Sequence, residues 1–396
     1  MAKQSKMVLM GCGYFGSRAA KIAIESGTFS EIVIADYAEE EAKKLAAQLN
    51  CKETKVVGKF ADLADHDNLV KVIKGADVVL NFVGPYYKWG INAVRAAIDA
   101  KVNYLDISDD FDETLEVLEL DKEAKAAGIT VITGMGLSPG LTNIVARAGC
   151  DKMDEVDDVE LTFLFVPLTF SKSVHDHFIR ILSSDVPQYR NGKWVNLPAL
   201  TEKEHYETPD LSPNGIDAYI TGHPEPVTFP RFVKCKNVTL KGGSFPAWFM
   251  ERYRNLLDYG MNSTTPIKVG DAMVAPRDFL VEFLASEAAQ NIVVKKVEEA
   301  GVKPDKVGIR MSIRISGKKD GKAVRYVYYM HDRERRSVYE TASIGAEMLA
   351  QGEIKLKGVI APEAIENPQR ILNRLAHKGS MWCTETREDT ETLIPI

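Results

Sequence analysis

Hydrophobic and polar positions alternate regularly through the first third of the chain. Short apolar runs predict strands at residues 7–10, 31–35, 55–60, 76–83, 103–107 and 129–133. The stretches between them have helical periodicity and predict helices at 17–25, 39–49, 68–73 and 89–100, with a further helix that Asp109 caps and that ends at Ala127. The run 76–83 is apolar on both faces, which is typical of parallel strands covered by helices. The alternation predicts an α/β fold with a doubly wound parallel sheet, whose ligands bind at the carboxyl ends of its strands.

The pattern changes from about Val156. Longer β-rich runs at 158–166, 227–232, 237–240, 308–316 and 323–329 are separated by helical stretches at 247–259 and 278–300. Asn191-Gly192 predicts a hairpin turn. We therefore expect an antiparallel sheet with helices, an α+β arrangement. The predicted domains cover residues 1–140, residues 141–340 and a C-terminal segment, 341–396, which contains a helix at 343–351 and returns to the first domain.

The loop after the first predicted strand carries three glycines in the spacing G-x-G-x-x-G. Gly11 permits a tight turn, Gly13 allows the backbone to approach a pyrophosphate, and Gly16 lets the following helix pack on the strand. The predicted cofactor contacts of this loop are Gly11, Gly13, Tyr14, Phe15 and Gly16. The domain over residues 1–140 is thus predicted to bind a dinucleotide.

Asp36 lies about 20 residues past the third glycine, at the end of the second predicted strand. A carboxylate at this position accepts hydrogen bonds from the ribose hydroxyls and repels a 2′-phosphate. Residues 37–41 contain no arginine that would bind such a phosphate. The sequence therefore predicts NAD as the cofactor, with NADP the less favoured alternative.

The composition and charge of the chain argue against several classes of protein. The chain of 396 residues has a net charge of −6, which argues against a nucleic-acid partner. Its longest apolar candidate, 161–170, is too short to span a membrane and contains a proline. Five scattered cysteines without a C-x-x-C spacing form neither a disulfide framework nor a zinc site. The N-terminus lacks the apolar segment of a secretory signal. We therefore expect a cytoplasmic protein.

Candidate chemistry lies in the loops that follow the last three predicted strands of the first domain. The first loop supplies Tyr86 or Lys88 toward the substrate and is predicted to contact the cofactor through Asn81, Val83, Gly84 and Pro85. The second loop contains Asp106, and the third is a glycine-rich turn with Ser138. Asp62, after the third strand, is predicted to reach the adenine edge of the cofactor. Because parallel strands end at one edge of a sheet, these loops are expected to lie together.

Several of these motifs carry a family resemblance. The glycine loop, the N-x-x-G-P-Y run from Asn81 to Tyr86, the Tyr104-x-Asp106 pair, the S-P-G turn at Ser138 and the late segment 352–363 resemble the saccharopine dehydrogenase family. That family includes saccharopine reductases, lysine 6-dehydrogenases and carboxynorspermidine dehydrogenases. The resemblance implies a Rossmann domain built from both ends of the chain, with an inserted α+β domain for substrate and homodimer contacts. It also implies hydride transfer between a nicotinamide and a carbon that bears nitrogen, through an imine.

The chain departs from saccharopine reductases at particular positions. Met135 and Ser138 stand where those enzymes commonly have a cysteine and an aspartate, and Asp36-Tyr37 stands where they have a serine and an arginine. The predicted NAD preference and the short length are closer to lysine 6-dehydrogenase. We expect a small-molecule amine or amino-acid substrate, oxidised at its C–N bond.

Such a reaction requires a base, because the amine must lose a proton. Asp106 is the first candidate; the alternative is a buried carboxylate that orders its loop. Arg231 is the candidate that binds a substrate carboxylate, since guanidinium pairs bidentately with carboxylates. No metal is predicted: His175 and His177, two residues apart on a helix, face different ways, and the acidic run 106–112 lacks the glycine of a calcium loop.

Two other functions remain open from the sequence. One is an NAD-binding sensor or scaffold without turnover. The other is an alcohol or hydroxy-acid dehydrogenase, which would release neither ammonia nor an amine.

Overall fold

The computed structural model describes residues 5–167, 170–208, 210–332, 334–376 and 382–389. Within these ranges the chain forms two compact units. The first comprises residues up to 148, residues 231–233 and residues from 335 to 376. The second comprises residues 149–230, 234–334 and 382–389.

Residues 5–150, nearly all of them in the first unit, form alternating strands and helices. In chain order these are β1 (Ser5–Met10), α1 (Tyr14–Glu25), β2 (Phe29–Asp36), α2 (Glu39–Leu49), β3 (Lys55–Phe60), α3 (His66–Ile73), β4 (Val78–Asn81), α4 (Tyr86–Ala100), β5 (Asn103–Asp106), α5 (Phe111–Glu119), α6 (Asp121–Ala127), β6 (Thr130–Ile132) and α7 (Leu141–Cys150). Met7–Met10 and Val78–Leu80 are fully buried, as expected for central parallel strands that helices cover on both faces.

The next stretch of the chain, most of which lies in the second unit, contains longer strands. It comprises β7 (Glu155–Phe165), α8 (Lys172–Leu182), β8 (Asp185–Arg190), β9 (Lys193–Pro198), β10 (Glu204–Thr208), β11 (Ser212–Ile220), α9 (Glu225–Phe232), β12 (Asn237–Ser244), α10 (Trp248–Asp258), β13 (Ile267–Val269), β14 (Ala272–Val274), α11 (Pro276–Ala285), α12 (Glu287–Glu299), a 3-10 turn at Pro304–Lys306, β15 (Ile309–Lys319) and β16 (Lys322–Asp332). An aromatic core that includes Phe165, Phe178 and Phe249 joins its sheet to α8 and α10.

The C-terminal segment comprises α13 (Arg336–Ala350), β17 (Gly358–Ile360), a 3-10 turn at Pro362–Ala364, α14 (Pro368–Ala376) and β18 (Trp382–Asp389). β17 pairs with β6 and completes a parallel sheet of order β17-β6-β5-β4-β1-β2-β3. β18 instead pairs with β16 in the second sheet. The segment 341–396, expected to return to the first domain as a whole, is thus divided between the two sheets.

The second sheet differs from the expected antiparallel arrangement. Its order is β10-β11-β12-β7-β15-β16-β18, and β8 pairs with both β12 and β9. β12 runs parallel to β7, with Leu240 opposite Leu161, so the sheet is mixed. The chain between β7 and β12 is long enough for the crossover that a parallel pair needs. The hairpin at Asn191-Gly192 is present between β8 and β9, with both turn residues at positive φ.

Three predicted elements are wrong. Residues 227–232, expected as a strand, form most of α9, because Pro224-Glu225-Pro226 begins a helix and the N–H groups of Val227 and Thr228 both donate to the Pro224 carbonyl. The predicted helix ending at Ala127 is two helices that meet at Leu120, and its N-cap is Asp110 rather than Asp109. The helix predicted over 278–300 is also two: the Ser286 hydroxyl caps α12 by accepting from the Ala289 N–H.

Among the described helices, none combines the length and the apolar character that crossing a membrane requires.

Candidate active site

The glycine loop makes a close turn between β1 and α1. Gly11 has a φ of +93°, and its N–H donates to the Ala35 carbonyl of β2 at 2.8 Å. A Cβ at Gly16 would lie 1.9 Å from the Gly11 carbonyl oxygen, so only glycine permits this approach of α1 to the strand end. The first and third glycines therefore perform the packing roles that the sequence assigned to them.

Gly13 leaves the beginning of α1 open. It is the N-cap residue, and no side chain caps the helix there. A Cβ built on Gly13 would meet no atom within 4 Å. The helix therefore begins with backbone N–H groups beside open space, and the positive end of its dipole points the same way. This cradle fits the pyrophosphate of a dinucleotide.

Side chains beside the loop complete the predicted nucleotide site. The Asp36 carboxylate accepts the Cys12 N–H through Oδ2 and the Ala38 N–H through Oδ1, at 2.8 and 2.9 Å. Tyr14 is half exposed, and the Arg18 guanidinium lies 3.6 Å from its ring centroid. Asp36 is thereby fixed beside the glycine loop, at the end of β2.

Two other predicted cofactor contacts are placed by local packing. Phe15 is partly buried, with its ring centroid 6.4 Å from that of Tyr339. Asp62 lies at the end of β3, where its Oδ1 accepts the Ala64 N–H at 2.9 Å and shapes the turn into α3. Contact of either residue with a cofactor stays a prediction.

The loop after β4 is built around Asn81. Its Oδ1 accepts the Val83 N–H at 2.9 Å, and its Nδ2 donates to the Tyr104 hydroxyl at 2.9 Å. The amide of Asn81 is fully buried and holds the loop in shape from inside the protein. Val83, Gly84 and Pro85 are partly exposed, and Val83 Cγ2 would lie 3.1 Å from a Cβ at Gly11, so this loop borders the glycine loop.

Tyr86 begins α4 and faces the protein interior. Its side chain is 6 % exposed, and its hydroxyl donates to the Asn81 carbonyl at 3.2 Å. Burial, and next the charge of Asp106, raise the pKa of Tyr86 well above its usual value, so the hydroxyl stays protonated. The side chain lies beneath the loop as a fixed donor, and its contact with a substrate stays a prediction.

Asp106 ends β5 and is fully buried. Its Oδ1 accepts the N–H groups of Ser108 and Gly134, at 3.0 and 2.9 Å. Burial raises the pKa of Asp106 to about 6, against the lowering effect of these N–H groups and of the Tyr104 and Thr133 hydroxyls. The carboxyl group thus changes protonation state close to neutral pH, as a general base requires.

The loop after β6 closes beside Asp106. The Met135 N–H donates to the Asp106 carbonyl at 2.7 Å, and a Cβ at Gly140 would lie 2.1 Å from the Gly136 carbonyl oxygen. Ser138 is partly exposed at the tip of this compact turn. The structure therefore brings the loops of Tyr86, Asp106 and Ser138 to the carboxyl ends of three adjacent strands, β4, β5 and β6.

The sequence reasoning missed Glu113 and Ser108. Glu113 is 2 % exposed, and its Oε2 accepts the Ser108 hydroxyl at 2.8 Å. The sequence signs for Glu113 disagree. Glu113 lies on the helix face that also carries Val117, which indicates that its side chain is buried. It also lies three residues after Asp110, and this spacing is typical of a capping box, in which the carboxylate turns toward the helix end rather than into the core.

The second unit holds a buried imidazole–carboxylate pair that the sequence reasoning also passed over. His223 Nδ1 lies 2.5 Å from Glu225 Oε2, and both side chains are buried. The ring of His177 makes an edge contact with His223, at 5.9 Å between centroids. A carboxylate in this position fixes the orientation and the tautomer of an imidazole.

Arg231 and His175 differ in their surroundings. Arg231 is exposed in the last turn of α9, and its binding of a substrate carboxylate stays a prediction. His175 is buried with Nδ1 2.6 Å from the Tyr253 hydroxyl, and burial lowers the pKa of His175 to about 4. Its imidazole is therefore neutral at neutral pH.

The comparison with known families agrees with the geometry. Residues 7–132 match the family model of the saccharopine dehydrogenase NADP binding domain. Residues 7–132 are thus similar to the nucleotide-binding domain of that family. The resemblance drawn from the glycine loop and the strand-end motifs is therefore confirmed, as is the expectation of an NAD(P)-dependent oxidoreductase of the saccharopine dehydrogenase type.

Relatives extend over nearly the whole chain. Carboxynorspermidine synthase of Vibrio alginolyticus is 22% identical, covering 95% of each chain. Carboxyaminopropylagmatine dehydrogenase of Synechocystis sp. is 23% identical, covering 96% of this chain and 97% of the relative. Mitochondrial alpha-aminoadipic semialdehyde synthase of Bos taurus is 24% identical over 98% of this chain but only 48% of its own length.

A solved structure shares the architecture. Saccharopine dehydrogenase (L-Glu forming) from Saccharomyces cerevisiae superposes with a TM-score of 0.66 and 17% identity, covering 97% of this chain and 100% of that one. This match confirms the fold class of a doubly wound parallel sheet combined with an α+β domain.

Proposed function

We propose that this protein is an NAD-dependent dehydrogenase that oxidises or forms the C–N bond of an amino acid or of a carboxylated secondary amine. The observation that carries the proposal is the buried Asp106 carboxylate at the end of β5, among the loops of a saccharopine dehydrogenase-type domain. The names of the two relatives that match over almost the full chain, carboxynorspermidine synthase and carboxyaminopropylagmatine dehydrogenase, support a carboxylated amine as substrate.

Asp106 acts as the general base in this proposal. An amine loses hydride only from its neutral form, so a proton must first leave the nitrogen. A carboxylate with a pKa near 6 is ionised at neutral pH and still basic enough to take that proton. Asp106 later returns a proton or activates the water that hydrolyses the imine. The bound nicotinamide would supply the hydride acceptor or donor.

The proposed cofactor is NAD. Asp36 is held at the glycine loop by two backbone N–H groups, and its remaining lone pairs suit ribose hydroxyls. A 2′-phosphate beside this carboxylate would meet like charge. The family model is named for NADP. The proposal of NAD for this chain therefore depends on Asp36.

Further features of the substrate site, the location and the assembly belong to the proposal. Arg231 binds the substrate carboxylate, and Tyr86 and Ser138 shape the substrate end of the site, as their loops suggest. The protein acts in the cytoplasm, in keeping with five scattered cysteines. It works as a homodimer, as the family resemblance implies, and lysine is one of the amines to be tested first.

The absorbance of NADH tests the proposal directly. Purified protein is mixed with NAD or NADP and with lysine, saccharopine, ornithine or carboxynorspermidine. Amine-dependent NADH formation that disappears in D106N is the expected result. NAD binding without turnover of any amine would favour a sensor or scaffold, and turnover of a hydroxy acid without release of an amine would show an alcohol-type dehydrogenase.

Substitution of Asp36 tests the cofactor. D36A removes the ribose acceptor and the charge that opposes a 2′-phosphate, so NAD affinity should fall about 10- to 100-fold, the value of a charged hydrogen bond. NADP affinity should stay constant or rise. E40Q, at an exposed glutamate of the adjacent helix, is the control. Equal losses for both cofactors in D36A would mean that Asp36 only holds the loop.

A further inference from the structure

Two carboxyl groups are buried together beneath the loop of the proposed base. Asp106 is fully buried and Glu113 is 2 % exposed. In the part of the chain that the structure describes, neither carboxyl group forms an ion pair or a hydrogen bond with a lysine or an arginine. Two unpaired negative charges in a dry interior are strongly unfavourable, and such a pair keeps a proton instead.

Ser108 connects the two carboxyl groups. Its backbone N–H donates to Asp106 Oδ1 at 3.0 Å, and its hydroxyl donates to Glu113 Oε2 at 2.8 Å. Ser108 is itself fully buried. The position of Glu113 is therefore coupled to that of Asp106 through one rigid residue of the loop between β5 and α5.

Helix α4 contains a space that the Glu113 carboxyl group occupies. A Cβ at Gly90 would lie 2.2 Å from Glu113 Oε1 and 2.9 Å from its Cδ. No side chain other than that of glycine at position 90 leaves room for this carboxyl group in its present place. The packing of α4 against α5 is thus adapted to hold an acid in the interior.

The groups facing Glu113 are acidic or neutral. After burial, the charge of Asp106 is the strongest influence that raises the pKa of Glu113 well above its usual value; Asp110 and Glu116 act in the same direction, and the Ser108 hydroxyl opposes them. Tyr86 and Tyr104 contribute only neutral hydroxyls, since the pKa of each is also raised. Asp106 accepts two backbone N–H groups whereas Glu113 accepts one hydroxyl, so a negative charge is better stabilised on Asp106 than on Glu113.

We propose that Asp106 and Glu113 form one buried acid pair that holds a single proton at neutral pH, with Glu113 as the positioning residue that keeps the neighbouring base in place. This role rests on the proposed function. Asp106 carries the negative charge and is the group that takes the proton of the substrate nitrogen. Glu113 holds the proton of the pair and therefore adds no second negative charge to the interior. When Asp106 takes a proton from the substrate nitrogen, the pair becomes neutral and no charge is left buried.

Infrared spectroscopy of the substrate-free protein tests the shared proton. The wild-type protein at neutral pH should show the carbonyl band of a protonated carboxylic acid that is missing in E113Q. E116Q, which changes an exposed glutamate on the same helix, should retain the band. A difference spectrum between wild type and E113Q that shows a carboxylate band instead would overturn the proposal.

A second variant keeps the test valid if E113Q does not fold. S108A leaves Glu113 and Gly90 in place and removes only the hydroxyl that donates to Oε2. The acid band should remain and shift to the frequency of a carbonyl that has lost a hydrogen bond. An acid band that is absent from wild type, or identical in S108A, would contradict the pair.

Kinetics separate this inference from the proposed reaction. Both infrared readouts need no substrate, so a protein that oxidises none of the amines still confirms or refutes the acid pair. In a protein that turns over, the kcat/KM profile of the wild type should show two ionisations of the pair, and E113Q should keep only the one near pH 6. An unchanged profile in E113Q would assign Glu113 a purely structural part.

Discussion

Two opposing influences act on the pKa of the Asp106 carboxyl group. Two backbone N–H groups favour its ionised form, yet complete burial outweighs them and raises its pKa to about 6. The same group that can serve as a base therefore destabilises the folded protein. A carboxyl group with a raised pKa binds its proton more tightly in the folded protein than in the unfolded chain. Its contribution to the free energy of unfolding is therefore present at low pH and is lost as the pH rises through the pKa of the folded state.

D106N should separate catalysis from stability. Asparagine keeps an Oδ1 acceptor for the Ser108 and Gly134 N–H groups but cannot ionise. We expect turnover to fall by about 10²–10⁴-fold, the usual contribution of a general base. The wild type should lose about 3 kcal/mol of stability between pH 4 and pH 6 from this residue, and D106N should not. Denaturant titrations across this pH range measure the difference.

The activity of the wild type should depend on pH in the same range. Amine oxidation needs the ionised Asp106, so kcat/KM is expected to fall as the pH drops below about 6. Wild-type turnover in D106N would show that another group is the base.

At the scale of elements, two glycines of the glycine loop, Gly13 and Gly16, have different roles. Gly13 has ordinary helical-entry backbone angles and open space around its Cβ position, whereas a Cβ at Gly16 would overlap the Gly11 carbonyl. The sequence motif assigned these two roles, and the position of α1 against β1 gives the distances that support them.

G13A and G16A should therefore fail in different ways. G13A should fold with wild-type stability and lose NAD binding, because the added methyl group lies where the pyrophosphate would approach. G16A should unfold at a lower temperature whether NAD is present or not, with a cost of about 1–3 kcal/mol or more from overpacking. At NAD concentrations about 100 times Kd, wild type gains about 2.7 kcal/mol and G13A gains none. NAD-dependent stabilisation of G13A would contradict the proposed pyrophosphate position.

A buried arginine in the second sheet holds a neighbouring turn in place. Arg310 of β15 is fully buried; its Nε and Nη2 donate to Asp210 Oδ2 at 3.1 and 3.0 Å, and the Tyr329 hydroxyl of β16 donates to Oδ1 at 2.7 Å. These contacts fasten the turn between β10 and β11 to the β15–β16 pair. The Tyr329 and Arg310 contacts outweigh burial and lower the pKa of Asp210.

R310M should destabilise the second unit. Removing one partner of a buried ion pair leaves Asp210 without its cation, at a cost of about 3–5 kcal/mol. R325M, at an exposed arginine on β16 paired with Glu388 at 3.6 Å, should change stability by about 1 kcal/mol or less. Chemical denaturation followed by tryptophan fluorescence measures both. Equal stabilities of the two variants would show that the Asp210 turn is held by its backbone alone.

At the scale of the whole molecule, the proposed homodimer has a simple test. Light scattering coupled to gel filtration should give twice the chain mass of 43.9 kDa. The family resemblance is the reason for this expectation. A mass equal to that of one chain over the working concentration range would remove the homodimer from the proposal and leave the site in the first unit unaffected.

Much of the architecture could be predicted because its patterns are local. The glycine spacing, the buried run of β4 and the place of Asp36 are encoded within short segments, and backbone geometry translates each into a turn, a strand or a strand end. The parallel sheet then follows from the alternation of elements, since strands joined by helices align in one direction. α9 was mispredicted because its valine, threonine and phenylalanine favour strands, while prolines at its beginning favour a helix.

The sequence by itself determined the nucleotide domain, its glycine loop and the strand ends whose loops carry the candidate catalytic residues. Only the tertiary structure decided that Tyr86 faces inward, that β18 joins the second sheet, and that Glu113 lies against Gly90. The physical reason is that burial and proton affinity depend on neighbours distant in sequence. The sequence shows where a carboxyl group stands along the chain; its charge depends on which groups surround it after folding.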